Sequence, residues 1–260
     1  MVSKWFSRIY LWLMFIFLYA PIVVLVVFSF NDSKSSGKWS GFSLRWYQEL
    51  FQDTKMQTAF VYTFAIAILS TLIATFVGTL ASIGIYKLTK RTQGFVLNVN
   101  YLPVISPDIV TAVALMMLFL SFKIPLGFIT MLLSHVMFSI PYVILSVLPR
   151  LYAMNQNLAE AAMDLGATPM QAIRKVVIPE IMPGIIAGAL IAFTMSIDDF
   201  VISYFTTGNG VTNLSIEIYS MAKRGIRPTV NALATIMVTV VLTGVIVVNR
   251  ISNKGNKKEA

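Results

Sequence analysis

The sequence is 260 residues long and far more apolar than that of a soluble protein, with 57% hydrophobic and only 12% charged residues. So few charged side chains cannot cover a water-soluble domain of this length, and the net charge of +9 is better explained by basic cytoplasmic loops of a membrane protein than by nucleic-acid binding. The absence of cysteine excludes disulfides and thiol nucleophiles, and the single histidine leaves an intramembrane enzyme without a nucleophile–base pair or a metal site.

Six apolar segments are each long enough to cross a bilayer as a helix, which takes about 20 residues. Basic residues are more frequent on the side of both termini, with Lys87 and Arg250 next to helix ends, and this bias predicts cytoplasmic termini. The longest cytoplasmic loop then covers residues 149–183. The sequence therefore predicts an all-α integral membrane fold and one transmembrane domain over residues 1–260. Its six predicted spans are residues 9–30, 58–86, 95–120, 126–148, 184–206 and 229–249.

Two further features are the aromatic residues of an external loop and the single histidine within a span. The external loop of residues 31–57 contains Trp39, Trp46 and Tyr47, and aromatic side chains in such loops usually anchor at the membrane interface. Within the fourth span, the single histidine, His135, is expected to pack or to form an interhelical hydrogen bond.

Three carboxylates lie inside the predicted spans, at Asp108, Asp198 and Asp199. Each costs about 2.5–3.5 kcal/mol at a helix centre, so we expect them to face a cavity on the transport pathway. Asp108 and Asp198 both lie about 20 Å from the cytoplasmic ends of their helices, and hence at similar depth. Asp199 could instead be structural, since adjacent helical residues point about 100° apart. No Lys or Arg lies in the spans, which favours a cationic solute.

Two prolines, Pro103 and Pro107, precede the first of these aspartates in the third span. A proline lacks the backbone N–H that an α-helix needs and clashes with the preceding turn. We therefore expect a break in the helix there, with backbone carbonyls freed towards a cavity.

The cytoplasmic loop reads as two short helices. Residues 158–165 are rich in good helix formers, and Gly166 suits the left-handed conformation that follows a helix end. A second helix is predicted to begin at Pro169, where the missing N–H costs nothing. It is predicted to stop at Pro179 and Pro183. The expected product is a helix–turn–helix on the cytoplasmic face.

The spacing of residues in this loop resembles the EAA loop of ABC-importer permeases. Glu160-Ala161-Ala162 is followed after three residues by Gly166, and after nine more by Val176-x-Ile178-Pro179, where the family has I-x-L-P. The resemblance implies a type I importer permease in which this loop is the coupling helix that sits in a cleft of the ATPase subunit. The residues with a coupling role would be Glu160, Ala161, Ala162, Gly166 and Pro179.

The chain lacks the glycine-rich phosphate loop that ends in Gly-Lys-Ser or Gly-Lys-Thr. ATP and its magnesium are therefore expected on a separate ATPase subunit dimer, with no cofactor in this chain. The sequence also contains no tandem duplication. A second permease half is accordingly expected from another copy or from a homologous subunit.

Most of the chain also resembles the C-type permease subunits of spermidine/putrescine ABC importers of the bacterial inner membrane. The matching stretches include Trp46-Tyr47, Ser106 to Val110 and Ser196 to Asp199. The resemblance implies a polyamine cargo, an extracytoplasmic solute-binding protein and a distinct partner permease. Asp108 and Asp198 would then hold ammonium groups, with Asp199 nearby, and Trp46 could cover part of the cargo by cation–π contact.

The residues alone leave two alternatives open. One is an ABC permease for another small cargo such as iron or thiamine, with an anion disfavoured by the carboxylates. The other is a proton- or sodium-coupled secondary carrier that uses the same aspartates. That carrier would function without an ATPase and would leave the loop around Glu160 without a purpose.

Overall fold

The computed structural model describes residues 4–34, 38–155, 157–224 and 227–256. Within these ranges the regular secondary structure is helical, and Asn31 and Phe42 form an isolated antiparallel bridge. The prediction of an all-α fold is confirmed. The predicted cytoplasmic position of the termini also concerns residues 1–3 and 257–260, which lie outside the described ranges.

The chain divides into two compact units, Met1–Gln57 with Ile218–Ala260, and Thr58–Glu217. Whether the two units form the single transmembrane domain predicted over residues 1–260 depends on how they are arranged, so that domain stays a prediction. The described α-helices are α1 (Lys4–Phe28), α2 (Arg45–Gln52), α3 (Thr54–Tyr86), α4 (Lys90–Ile105), α5 (Asp108–Ser121), α6 (Phe128–Ala153), α7 (Asn157–Asp164), α8 (Pro169–Ala172), α9 (Ile178–Asp198), α10 (Val201–Thr206), α11 (Leu214–Arg224) and α12 (Thr229–Asn256).

Among the described residues, four helical segments are long and apolar enough to cross a membrane: α1, α3, α6 and the segment Pro169–Asp198. The pair α4–α5 is a further candidate span bent by 104°, and α12 contributes a shorter apolar stretch, Thr229–Gly244. The helix break expected from the prolines is confirmed, because Pro107 is extended between α4 and α5. Pro103 lies inside α4.

The second unit contains a close packing of α6 against α9. A Cβ atom placed on Gly184 would lie 2.8 Å from the carbonyl oxygen of Ser146, and one on Gly188 would lie 3.1 Å from the Cα of Val143. Small residues of this kind allow helix backbones to approach in a membrane, where packing replaces the hydrophobic driving force. The glycines therefore fix the contact between these two helices.

The first helix of the loop of residues 149–183 ends as predicted. Gly166 has a φ of +89°, its N–H donates to the carbonyl of Met163 (2.9 Å), and the N–H of Ala167 donates to that of Ala162 (3.1 Å). This pair of bonds is the Schellman motif, which satisfies carbonyls that would otherwise lack a partner at the helix end. The second helix begins at Pro169, as predicted.

The prediction that the second helix stops at Pro179 is wrong. Helix α8 continues through a π-helical turn, Ile173–Val177, into α9, so the helical segment runs without interruption from Pro169 to Asp198. The wider π turn directly before Pro179 gives its ring room against the carbonyl one turn earlier. Pro183 lies inside α9, where a membrane helix tolerates it.

The fifth predicted span, residues 184–206, is also not one continuous helix. Helix α9 ends and α10 begins on either side of Asp199 and Phe200. The Asp199 carboxylate accepts hydrogen bonds from the backbone N–H groups of Ile202 (3.3 Å) and Ser203 (2.7 Å). A side chain that satisfies these N–H groups replaces the helix continuation, and the chain restarts as α10.

Gly208 lies in the loop after α10, and its substitution tests how closely this loop packs against Leu126. It has a φ of +69°, and a Cβ atom there would lie 2.1 Å from the carbonyl oxygen of Leu126. We expect Gly208→Ala to lower the thermal stability and the membrane level of the protein, since left-handed strain of roughly 1–2 kcal/mol adds to a backbone clash of about 1–3 kcal/mol. Gly210→Ala is the matched control, with a φ of +84° and no atom within 4 Å of the added Cβ. Equal losses in the two variants would contradict the clash.

Candidate functional site

A cavity of about 280 Å³ lies in the second unit where the break between α4 and α5 and the break between α9 and α10 come together. All three aspartates singled out in the sequence, Asp108, Asp198 and Asp199, line it. The remaining described lining residues are Pro103, Thr111, Phe138, Tyr142, Met195, Phe200, Val201 and Ile202. No Lys or Arg is among these described lining residues, so the cavity combines acidic groups with aromatic and apolar walls.

The three aspartates lie at helix ends. Asp108 is the first residue of α5, where the positive end of the helix dipole stabilises a carboxylate. Asp198 is the last residue of α9, and Asp199 precedes α10. The side chains of Asp108 and Asp198 are exposed, whereas that of Asp199 is 10% exposed. The cavity therefore has two open carboxylates and one that is held by the protein.

A buried polar network surrounds the held carboxylate. His135, on α6, is fully buried; its Nδ1 lies 2.6 Å from Ser196 Oγ on α9, and its Nε2 lies 2.9 Å from Ser203 Oγ on α10. The same Nε2 is 3.6 Å from Asp199 Oδ2. The expectation that His135 forms an interhelical hydrogen bond is confirmed.

The network extends on both sides of the histidine. Ser196 Oγ is 3.2 Å from Ser70 Oγ on α3. On the other side, Asn213 Nδ2 donates to Ser203 Oγ (2.8 Å) and to the backbone carbonyl of Asp199 (3.3 Å). Sequence reasoning missed these partners. The available signal was the serines scattered through the apolar spans, since serine hydroxyls commonly form hydrogen bonds between membrane helices.

Trp46, the fourth candidate for cargo contact, belongs to the first unit, and its partners there are loop residues. It is 2% exposed, and its indole N–H donates to the carbonyl oxygen of Asn31 (2.6 Å). The Arg45 guanidinium lies 5.1 Å from the centre of its ring system, and Arg45 also pairs with Glu49. Trp46 thus holds the loop of residues 31–57 together through its contact with Asn31. Its predicted cation–π contact with cargo stays a prediction.

Four of the predicted coupling residues lie on α7 and the turn after it, where Ala162 is half-buried, and the fifth, Pro179, lies in α9. Glu160, Ala161 and Gly166 are exposed. Leu165, at the end of α7, is 90% exposed, and Met170, on α8, is 70% exposed. The resemblance to the EAA loop assigns this face to contact with an ATPase, and that role stays a prediction. We call α7, α8 and the turn between them the coupling surface.

A cavity of about 290 Å³ lies beside α7, which packs on the rest of its unit through Ala159. Glu160 and Met163 on α7 line this cavity together with Tyr86 and Lys87 at the end of α3. Pro169 also lines it. The predicted coupling residue Glu160 therefore lies at a cleft between α7 and α3.

Comparison with known proteins gives a consistent result. Residues 74–258 match the family described as binding-protein-dependent transport system inner membrane component. The chain is 38% identical to the spermidine/putrescine transport system permease protein PotC of Haemophilus influenzae, over 98% of this chain and 100% of the relative. It is also 38% identical to the putrescine transport system permease protein PotI of Escherichia coli, over 86% of this chain and 82% of the relative.

Two solved structures share the fold. One is a bacterial ABC transporter involved in the import of the acidic polysaccharide alginate, with a TM-score of 0.74, 18% identity, and coverage of 96% of this chain and 94% of that chain. The other is the MetNI methionine ABC transporter in inward-facing conformations, with a TM-score of 0.61, 22% identity, and coverage of 76% and 97%. At these identities the similarity establishes the fold alone.

The chain belongs to the family of inner-membrane components of binding-protein-dependent transport systems. It is a multi-pass membrane protein with the type I ABC-importer permease fold, and its role is that of a permease subunit rather than an enzyme. In such transporters the ATPase is a separate subunit. Family membership therefore decides against the ion-coupled secondary carrier that the residues alone left open.

Proposed function

We propose that this chain is the permease subunit of an ATP-driven importer that carries polyamines, spermidine or putrescine, into the bacterial cytoplasm. The observation that carries the proposal is the convergence of Asp108, Asp198 and Asp199 on one cavity whose described lining contains no Lys or Arg. The names of the relatives support the same cargo, since proteins named for spermidine/putrescine and putrescine transport match most of the chain. The relatives named above are not named for iron or thiamine transport.

The chemistry of the cavity suits an alkyl chain that carries ammonium groups. The exposed carboxylates of Asp108 and Asp198 supply the negative charge that an ammonium group pairs with. Phe138 and Tyr142 supply aromatic walls, which favour both methylene groups and cations over their faces. A cargo with charged ends and an apolar carbon chain between them can therefore contact both the carboxylates and the aromatic walls.

The proposed assembly contains three further kinds of protein. The coupling surface, with Glu160, Ala161, Ala162 and Gly166, binds one ATPase subunit of a dimer that holds ATP and magnesium. Pro179 lies at the start of α9, where the helical segment that begins in the coupling surface enters this helix. A homologous permease completes the pathway, and an extracytoplasmic solute-binding protein delivers the cargo. A solved structure with the same fold is that of a bacterial alginate ABC transporter in complex with a periplasmic protein, and it supports a solute-binding protein as a partner. Both termini are cytoplasmic in this assembly.

Uptake of radiolabelled spermidine and putrescine into cells tests the proposal. The cells lack their own polyamine importers and express this chain with its neighbouring subunits. We expect saturable uptake that requires the ATPase subunit and that is suppressed by excess unlabelled polyamine, but not by thiamine or iron. Cells without this chain are the control. Uptake no greater than in those cells, with the chain present in the membrane, would contradict a polyamine cargo.

A further inference from the structure

We infer that His135 is a positioning residue that holds the break between α9 and α10, and thereby sets how strongly the cavity binds its cargo. His135 is not among the lining residues of the cavity. It acts through Asp199 and the serines on either side of the break. The inference rests on the proposed polyamine function and adds to it a determinant of affinity outside the cavity.

The imidazole connects the two helices that flank the break. Its Nδ1 is 2.6 Å from Ser196 Oγ, two residues before Asp198, and its Nε2 is 2.9 Å from Ser203 Oγ, four residues after Asp199. A neutral imidazole has one donor and one acceptor nitrogen, so one of the two hydroxyls donates to the ring and the other accepts. One side chain of α6 thus binds the end of α9 and the start of α10 at the same time.

The Nε2 side of the ring also faces the held carboxylate. Asp199 Oδ2 lies 3.6 Å from Nε2 and accepts the backbone N–H of Ser203 at 2.7 Å. Asn213 secures the same point, because its Nδ2 donates both to Ser203 Oγ and to the carbonyl of Asp199. These contacts keep the Asp199 carboxylate bonded to protein and fix the backbone that immediately follows Asp198.

Asp198 itself has weaker support. Its side chain is exposed, and its backbone carbonyl accepts a long hydrogen bond from Ser215 Oγ (3.4 Å). The direction of its carboxylate therefore depends on the backbone at Asp199. Loss of the imidazole would leave the hydroxyls of Ser196 and Ser203 with fewer partners, and a rearrangement to recover them would shift the backbone that holds Asp199. The carboxylate that faces the cargo would move with that backbone.

The test compares variants of His135 in the assembled transporter, using radiolabelled spermidine as the probe. His135→Phe keeps an aromatic ring of similar size and removes both nitrogens. We expect it to raise the apparent KM for spermidine by about tenfold, since a buried polar group without a partner is costly. His135→Gln places an amide near the position of Nε2, and we expect it to restore a KM close to that of the wild type. The maximal rate per copy in the membrane should stay at the wild-type value.

Two serine variants keep the test decisive if His135→Phe does not reach the membrane. Ser203→Ala removes the hydroxyl that bonds His135 and Asn213, and we expect it to raise the KM as His135→Phe does. Ser139→Ala is the matched control, because Ser139 lies one turn from His135 on the same helix and its fully buried hydroxyl has no hydrogen-bond partner in the described structure.

The outcomes separate this inference from the proposed function. Normal wild-type uptake with an unchanged KM in His135→Phe or, if that variant is absent from the membrane, in Ser203→Ala would overturn the positioning role alone. A fall in membrane level and maximal rate at unchanged KM would show a merely structural role and would overturn it as well. Absence of polyamine uptake in the wild type would overturn the proposed cargo, and the inference with it.

Discussion

Asp198→Asn and Asp108→Asn are each expected to raise the apparent KM for spermidine by about 10- to 100-fold. A hydrogen bond that involves a charged group contributes about 1.5–3 kcal/mol, and the amide keeps the shape of the carboxylate while it removes the charge. The measurement is the initial rate of radiolabelled uptake over a range of concentrations, normalised to the amount of protein in the membrane. Both aspartates line one cavity, so both variants should weaken the same binding step.

The matched control for these variants is Asp32→Asn, which removes an exposed carboxylate from the loop after α1. It changes the net charge of the chain by the same amount, and we expect its KM to stay at the wild-type value. If the KM is unchanged in both cavity variants, at normal membrane levels, the cavity does not bind the cargo. If only one variant has an effect, the two carboxylates do not share an ammonium-bearing cargo.

Gly166→Val is expected to abolish most transport while the protein still inserts in the membrane. Gly166 has a φ of +89°, a conformation that costs a residue with a side chain roughly 1–2 kcal/mol and a β-branched residue more. A penalty of this size lowers the population of the native turn by about 5- to 30-fold. Because the turn joins α7 to α8, its loss changes the coupling surface and leaves the cavity aspartates untouched.

The readout for this variant has two parts, polyamine uptake by cells and ATP hydrolysis by the purified transporter. We expect uptake to fall by about tenfold, while ATP hydrolysis loses its dependence on the loaded solute-binding protein. Gly94→Val is the matched control, since Gly94 lies within α4 and an added Cβ there meets no atom within 4 Å. Normal uptake by Gly166→Val would contradict a coupling role for this turn.

The features that the sequence predicted well depend on local interactions. Gly166 ends α7 through its own backbone conformation, and α8 begins at Pro169, whose missing N–H costs nothing in a first turn. Pro107 breaks the helix by its own lack of an N–H. Asp108 and Asp198 line one cavity, as expected. Their common depth stays a prediction, because the helix rise assumed an unbroken span and α4 and α5 are bent by 104° before Asp108.

The features that could not be predicted depend on distant partners or on small energy differences. His135 bonds side chains that are 61 and 68 residues away, and no periodic pattern in the sequence identifies such partners. The break at Asp199 lies in an apolar run that is typical of one continuous helix. Whether Pro179 ends a helix or follows a π turn depends on packing of the neighbouring turns, which the proline itself does not reveal.

The uninterrupted helical segment from Pro169 to Asp198 has a mechanical consequence. Its 30 residues extend over about 45 Å, with Met170 of the coupling surface near one end and a cavity carboxylate at the other. If this segment moves as one body, a tilt of about 5° around one end displaces the other by about 4 Å. In the proposed assembly, a displacement of α8 by the ATPase therefore reaches Asp198 through one continuous helical segment.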